Sequence, residues 1–259
     1  MKRYKVKERL KTKIVKERRR RKIVLAVTGI LGILAVCGLL FRKVSHTLMT
    51  SKFFEVKTTD ITGACITEPE LIRQYLNFNG KNIFCLELGK SRNLVINRFA
   101  SIKNANIRRR LPFSISIYIE ERVPIAEMNI DVARVGIDQD CVSFSLPDSY
   151  EHLPVLPANL SDKNRDLCVS FLNGIYELPI YRNIESVNIR VSGGLEFTLK
   201  SGGLVLFGGI ENVEYKLSYL EQIIADMGYK KKEIEYIDMK DFCSEYKEAV
   251  VMPKSKDRI

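Results

Sequence analysis

The chain has 259 residues, 46% of them hydrophobic, no tryptophan, and a formal net charge of +11. The charge is local: thirteen of the 42 Lys/Arg and two of the 31 Asp/Glu fall in residues 1–22, and the remaining 237 residues carry 29 of each. A neutral body behind a cationic tail gives no expectation of specific nucleic-acid binding, and the tail itself meets any polyanion alike.

Ile23–Phe41 contains no charged residue. As a helix it is about 28 Å long, close to the hydrocarbon thickness of a bilayer. It ends in Leu39, Leu40, Phe41 and Arg42 rather than in the small residues of a cleavage site, so an uncleaved anchor is expected. Thirteen cations precede it, and only Arg42, Lys43 and Lys52 follow closely. That asymmetry predicts a cytoplasmic amino terminus and places everything after Val44 outside. The tail can also meet anionic headgroups at the inner surface, which makes membrane lipid an expected partner. Residues 42–52 read as a polar tether whose side chains tolerate exchange.

Beyond the tether, Phe54, Val56, Thr58 and Asp60 alternate with polar residues, as in a short strand entering a turn at Gly63. Thr67 and Glu70 have the spacing of a capping box, and Leu71, Ile72, Tyr75 and Leu76 form one helical face. Leu94, Val95, Arg98 and Phe99 suggest a second short helix. Ala105 and Ile107, then Ile115, Ile117 and Ile119 after the Leu111-Pro112 turn, have the period of half-buried strands. The order is strand, helix, helix, strand, strand over 53–123.

From Pro124 the segments shorten. Val132–Ile137 and Val142–Ser145 suggest a hairpin across Asp138, Gln139 and Asp140. A helix face is expected through Leu167, Cys168, Phe171, Leu172 and Ile175. Val187–Val191, Leu195–Leu199 and Leu204–Phe207 are strands separated by Gly-Gly turns. Val213, Leu217, Leu220, Ile224 and Met227 mark a helix, and Ile234–Met239 with Lys247–Met252 close the chain as two strands. The fold class is therefore α+β: one amino-terminal membrane helix, an αβ unit, and a mostly antiparallel sheet unit with one or two helices over 124–252. A tail is expected at 253–259.

Catalytic patterns are not found. His46 and His152 have no nucleophile or ligand at a recognised spacing, and HExxH, GxSxG and P-loop sequences are missing. Glu120 and Glu121 are strand neighbours and face opposite ways. Five cysteines follow the anchor (Cys65, Cys85, Cys141, Cys168, Cys243) without CxxC spacing, so no metal site is expected. Buried thiols are the favoured reading, with a disulfide left open. No cofactor and no small-molecule substrate are expected.

Several stretches, taken in order, resemble the FtsQ/DivIB family of bacterial cell division proteins. Residues 53–76 resemble its opening strand and first helix. Ile102, Ala105, Ile107, Arg109, Leu111, Pro112, Glu121, Arg122, Pro124 and Ala126 match its most recognisable stretch, and Leu153–Leu156, Leu204–Leu220 and Glu235–Lys240 match its later ones. The chain departs from the family at Gly136–Asp140, after Gly63, and over Asp241–Glu248. The resemblance implies a POTRA domain (three strands, two helices) at 53–123 and a β-domain at 124–252. It implies a non-enzymatic single-pass scaffold at the division septum, linking early ring components to FtsB-like and FtsL-like coiled-coil proteins and other divisome membrane proteins. A membrane-anchored sensor, or another POTRA-type chaperone or assembly factor, is the alternative. The family's FtsB contact maps to the terminal region, here Lys240, Phe242, Tyr246, Ala249, Val250 and Val251, with Tyr246 as aromatic anchor. The alternative for Val250 and Val251 is that they complete the core. Arg108, Arg109 and Arg110 are candidates for an exposed contact on the POTRA domain, with a solvated face as the plain alternative.

Overall fold

The computed structural model describes residues 2–243 and 245–254, with side chains for residue 16 and for 21 onward. The expected tail therefore lies mostly outside the described residues. The architecture is α+β, with an apolar amino-terminal helix, a three-stranded sheet with two helices, and further, mostly antiparallel sheet. Contacts divide the chain into two compact units. One holds the amino-terminal helix through Asp60 with 78–87 and 108–116, and the other holds 61–77, 88–107 and the chain from 117 onward.

In the first unit, helix α1 runs from Lys2 to Thr50 without interruption. Its stretch Arg21–Thr50 is long and apolar enough to cross a membrane, with none of it buried. Residues 42–50, expected as part of a polar tether, are helical. The helix end is capped from elsewhere in the sequence: the Asn82 side-chain amide donates to the Leu48 carbonyl at 2.9 Å and to that of Ser51 at 3.4 Å. The Leu48 carbonyl belongs to the last helical turn, whose acceptors have no intrahelical partner, while that of Ser51 also accepts from Phe54 N–H at 3.2 Å. A 3₁₀ turn at Lys52–Phe54 follows, so strand β1 begins only at Thr58 and ends at Thr62.

In the second unit, helices α2 (Pro69–Leu76) and α3 (Leu88–Arg98) pack together. The expected capping box at Thr67 does not form. Glu68 is the cap residue without a side-chain bond, and the Thr67 hydroxyl pairs with that of Ser101 instead. The N–H groups of Cys65, Ile66 and Thr67 all donate to the Glu121 carboxylate, at 2.7, 2.8 and 2.7 Å. In the box the Thr67 N–H would go to the Glu70 carboxylate; here Glu121 takes it, and Glu70 pairs with Arg73 instead. Gly63 is required just upstream, because its φ of +84° suits glycine and a Cβ there would strike the Ile119 carbonyl.

Strands β2 (Ile102–Arg110) and β3 (Ser114–Glu121) complete the first sheet, in the order β1-β3-β2. Ile115, Ile117 and Ile119 are at most 1% exposed, as their period of two requires.

Strands β4 (Pro124–Ile130), β5 (Ala133–Asp138) and β6 (Ser143–Ser145) form an antiparallel meander. The expected hairpin is the β5–β6 pair. Strand β4 escapes the sequence pattern because Pro124–Met128 are all buried, leaving no alternation to read. Arg122 donates to the Asp138 carboxylate at 2.6 Å, where Asp138 also accepts from the N–H groups of Asp140 and Val142. Glu121 and Arg122 are thus adjacent residues holding two different segments. Arg134 pairs with the buried Glu127 and gathers the carbonyls of Pro147, Asp148, Tyr150 and Glu151.

Val155, within the Leu153–Leu156 stretch, bridges Glu127 of β4 on one side and Ser186 on the other. It joins the meander to a five-stranded sheet of order β11-β10-β9-β8-β7. Those strands are β7 (Ile184–Ile189), β8 (Leu195–Leu199), β9 (Leu204–Gly208), β10 (Ile234–Asp238) and β11 (Val250–Pro253). Register aligns Val187, Phe197, Val205, Ile237 and Val251 across the sheet. The first four are at most 1% exposed and share one core with helices α4 (Asp162–Ile175) and α5 (Val213–Tyr229).

Ile117→Asp places a carboxylate at a fully buried position. It should either unfold this part of the chain or cost several kcal/mol. A thermal melt indistinguishable from that of the unsubstituted protein would show the strand register to be wrong.

Candidate partner-binding edge

Sequence reasoning pointed to Lys240, Phe242, Tyr246, Ala249, Val250 and Val251, of which Val250 and Val251 lie in β11, at one border of the sheet. Strand β10 is parallel to β9 and antiparallel to β11, so among the described residues β11 has a neighbour on one side only. Lys254 N–H donates inward, to the Glu233 carbonyl at 2.9 Å. Alternation along the strand then turns the backbone of Val250 and Met252 toward β10 and that of Val251 and Pro253 away. Proline has no N–H, so Val251 carries the outward donor of this strand. Val250 is 58% exposed, Val251 is half-buried and Met252 is exposed.

The remaining expected residues divide by burial. Tyr246 is 55% exposed, in a turn where Cys243 N–H donates to the Tyr246 carbonyl at 2.8 Å. Lys240 is exposed and paired with Asp238 at 3.1 Å. Ala249 is half-buried against the main core. Phe242 corrects the sequence reading, because it is 3% exposed and packs on Tyr215 and Tyr219, with ring centroids 5.9 and 5.0 Å away. It supports the edge from beneath and presents no contact surface.

Two groups were missed. Tyr219, Ile223 and Met227 of α5, with Lys230, Lys232, Val251 and Pro253, line a cavity of about 430 Å³ beside β11. Tyr215, Tyr219 and Ile223 recur at helical spacing, which was the available signal for a second working face of α5. The other is Lys216, which is 4% exposed and donates its ammonium to the carbonyls of Phe207 and Gly209 at 3.1 and 3.2 Å. It also lies 5.1 Å from the centre of the Phe207 ring. Burial pushes its pKa below the ordinary lysine value.

Of the three arginines at 108–110, Arg109 is a brace. Its Nε and Nη2 donate to the Ile83 and Leu86 carbonyls at 2.7 and 2.6 Å. All three arginines are nonetheless exposed.

The cysteine reading is corrected in part. All six thiols are free, but only Cys168 is buried, while Cys65 and Cys85 are exposed. Burial raises Cys168 to about 12, and burial with a bond to Asp166 raises Cys141 to about 11, so neither is a ready thiolate. Among the described residues no cluster of three His, Cys, Asp or Glu could hold a metal ion. The cleft beside His152, of about 850 Å³, is lined by no Ser, Thr or Cys.

Phe242→Ala should lower stability by about 3–5 kcal/mol. Tyr246→Ala should leave the melting temperature almost unchanged. Calorimetry on both variants checks the division between support and surface, and the opposite ranking would refute it.

No family model matches the chain. It is similar to the cell division protein FtsQ of Rickettsia bellii (strain RML369-C), 26% identical over 178 residues. The matched region is 68% of this chain and 65%, just under two thirds, of that protein. That similarity, together with the apolar amino-terminal helix, fits an FtsQ/DivIB-like protein.

Proposed function

We propose that this chain is a non-enzymatic scaffold of bacterial cell division, anchored by α1 and capturing an extended segment of an FtsB-like partner along β11. The similarity to a cell division protein supports the division role. The observation that carries the capture mechanism is the open border of the sheet at β11, next to an exposed tyrosine and a cavity walled by α5. A bare edge offers unpaired N–H and C=O groups to an incoming strand. Main-chain bonds then supply affinity, and alternating side chains supply specificity. FtsL-like proteins and other divisome membrane proteins belong to the same proposed assembly. The cation asymmetry about the apolar stretch supports a cytoplasmic amino terminus with the rest of the chain outside, and the similarity to a cell division protein supports a place at the septum.

Val251→Pro removes the outward N–H while keeping apolar bulk, and Tyr246→Ala removes the aromatic anchor. In pull-downs with the FtsB-like protein of the same genome, each should weaken capture at least tenfold, corresponding to about 1.4 kcal/mol or more. Both variants should remain folded. Full-strength capture by Val251→Pro would eliminate strand addition as the mechanism.

A further inference from the structure

The segments that fasten the end of α1 carry a second surface. Phe53 and Leu111 are 62% and 61% exposed, although both belong to short turns where apolar side chains are not needed for packing. Phe54, next to Phe53, lies edge-on to Phe84 at 5.1 Å, and its carbonyl accepts from Ile83 N–H at 2.9 Å. Ile83 in turn accepts from Arg109, two residues before Leu111, and follows Asn82, which caps the helix. Lys57 lies over the Phe113 ring at 5.2 Å, and its N–H donates to the Phe113 carbonyl at 2.9 Å. Phe53, the Leu111 turn and Phe113 are therefore tied to the last turn of α1.

Charge gathers here too. Residues 42–60, 78–87 and 108–116 hold eight Lys/Arg against three Asp/Glu, in a chain that is neutral after residue 22. Lys52, Lys57, Lys81, Arg108 and Arg110 are all exposed. From Phe41 to Thr50 the helix rises about 13 Å, so the capped end stands within side-chain reach of the headgroup layer. Exposed apolar side chains set among cations match the two components of interfacial binding, shallow insertion and attraction to anionic headgroups.

We propose that this face rests on the bilayer that α1 crosses and binds its anionic lipid headgroups, with Phe53 and Leu111 as the inserting side chains. The proposal depends on reading α1 as a membrane anchor. It is tested by hydrogen–deuterium exchange on the full chain in nanodiscs of phosphatidylcholine alone or of three parts phosphatidylcholine to one part phosphatidylglycerol. Exchange at 52–57 and 108–113 should slow several-fold in the anionic discs at low salt. The difference should vanish in high salt, and also in the variant carrying Lys57→Glu, Arg110→Glu and Leu111→Ser. Equal exchange in the two discs, or a difference that survives in the variant, would overturn the proposal. Residues 23–41 serve as the internal reference. Their protection in both discs reports the anchor, so its loss would refute the anchor reading itself, while its presence without the lipid effect refutes this proposal alone.

Discussion

The constraint on which the carboxyl-terminal architecture depends is the parallel pairing of β9 with β10. Parallel neighbours cannot be joined by a tight turn, and here α5 is the crossover that lets the chain return in the same direction. The far side of β9 is already occupied by β8. Strand β10 must therefore lie outside β9, and β11, folding back on β10, must lie outside again. The geometry that completes the core also leaves its last strand, among the described residues, with one side unpaired. Lys216 secures the crossover by linking α5 to one carbonyl within β9 and one just after it, and Gly208, with φ of +82°, makes room where a Cβ would meet the Lys240 backbone. Phe242 then packs under the turn that leads to β11.

Much of this was legible because half-buried antiparallel strands record their own faces. Leu195–Leu199 was placed to the residue, and the helix ending near Gly228 was read from its apolar stripe. What escaped did so for identifiable reasons. Strand β4 is buried on both faces and has no period. The Thr67 box lost its N–H to the Glu121 carboxylate and its hydroxyl to Ser101, and distant competitors are invisible to a local motif. The helical character of 42–50 depends on a cap from Asn82, again far along the chain. In the candidate edge, exposure could be guessed for Tyr246 but not burial for Phe242, because two aromatic residues four positions apart in an irregular turn carry no periodicity that separates them.

The family-like residues acquire physical roles in this setting. Glu121 and Arg122 divide their work: one carboxylate collects three N–H groups before α2, and one guanidinium neutralises the nearly buried Asp138. Arg109 braces two carbonyls, so part of its donor set is spent inside the fold. Val155 of the Leu-Pro stretch stitches β4 to β7 and so links the meander to the sheet that ends in β11. These residues build the frame, and the proposed recognition falls on the stretch after residue 240, one of those where the chain departs from the family pattern. A scaffold can keep its frame while its contact edge varies with the partner.

The central claim is main-chain capture at β11, and the most direct measurement is the amide exchange rate of Val251, resolved by NMR, before and after adding the FtsB-like partner. The account predicts that this amide, open to solvent in the free protein, slows strongly in the complex as it enters a new ladder. An unchanged Val251 amide in a fully formed complex would contradict it.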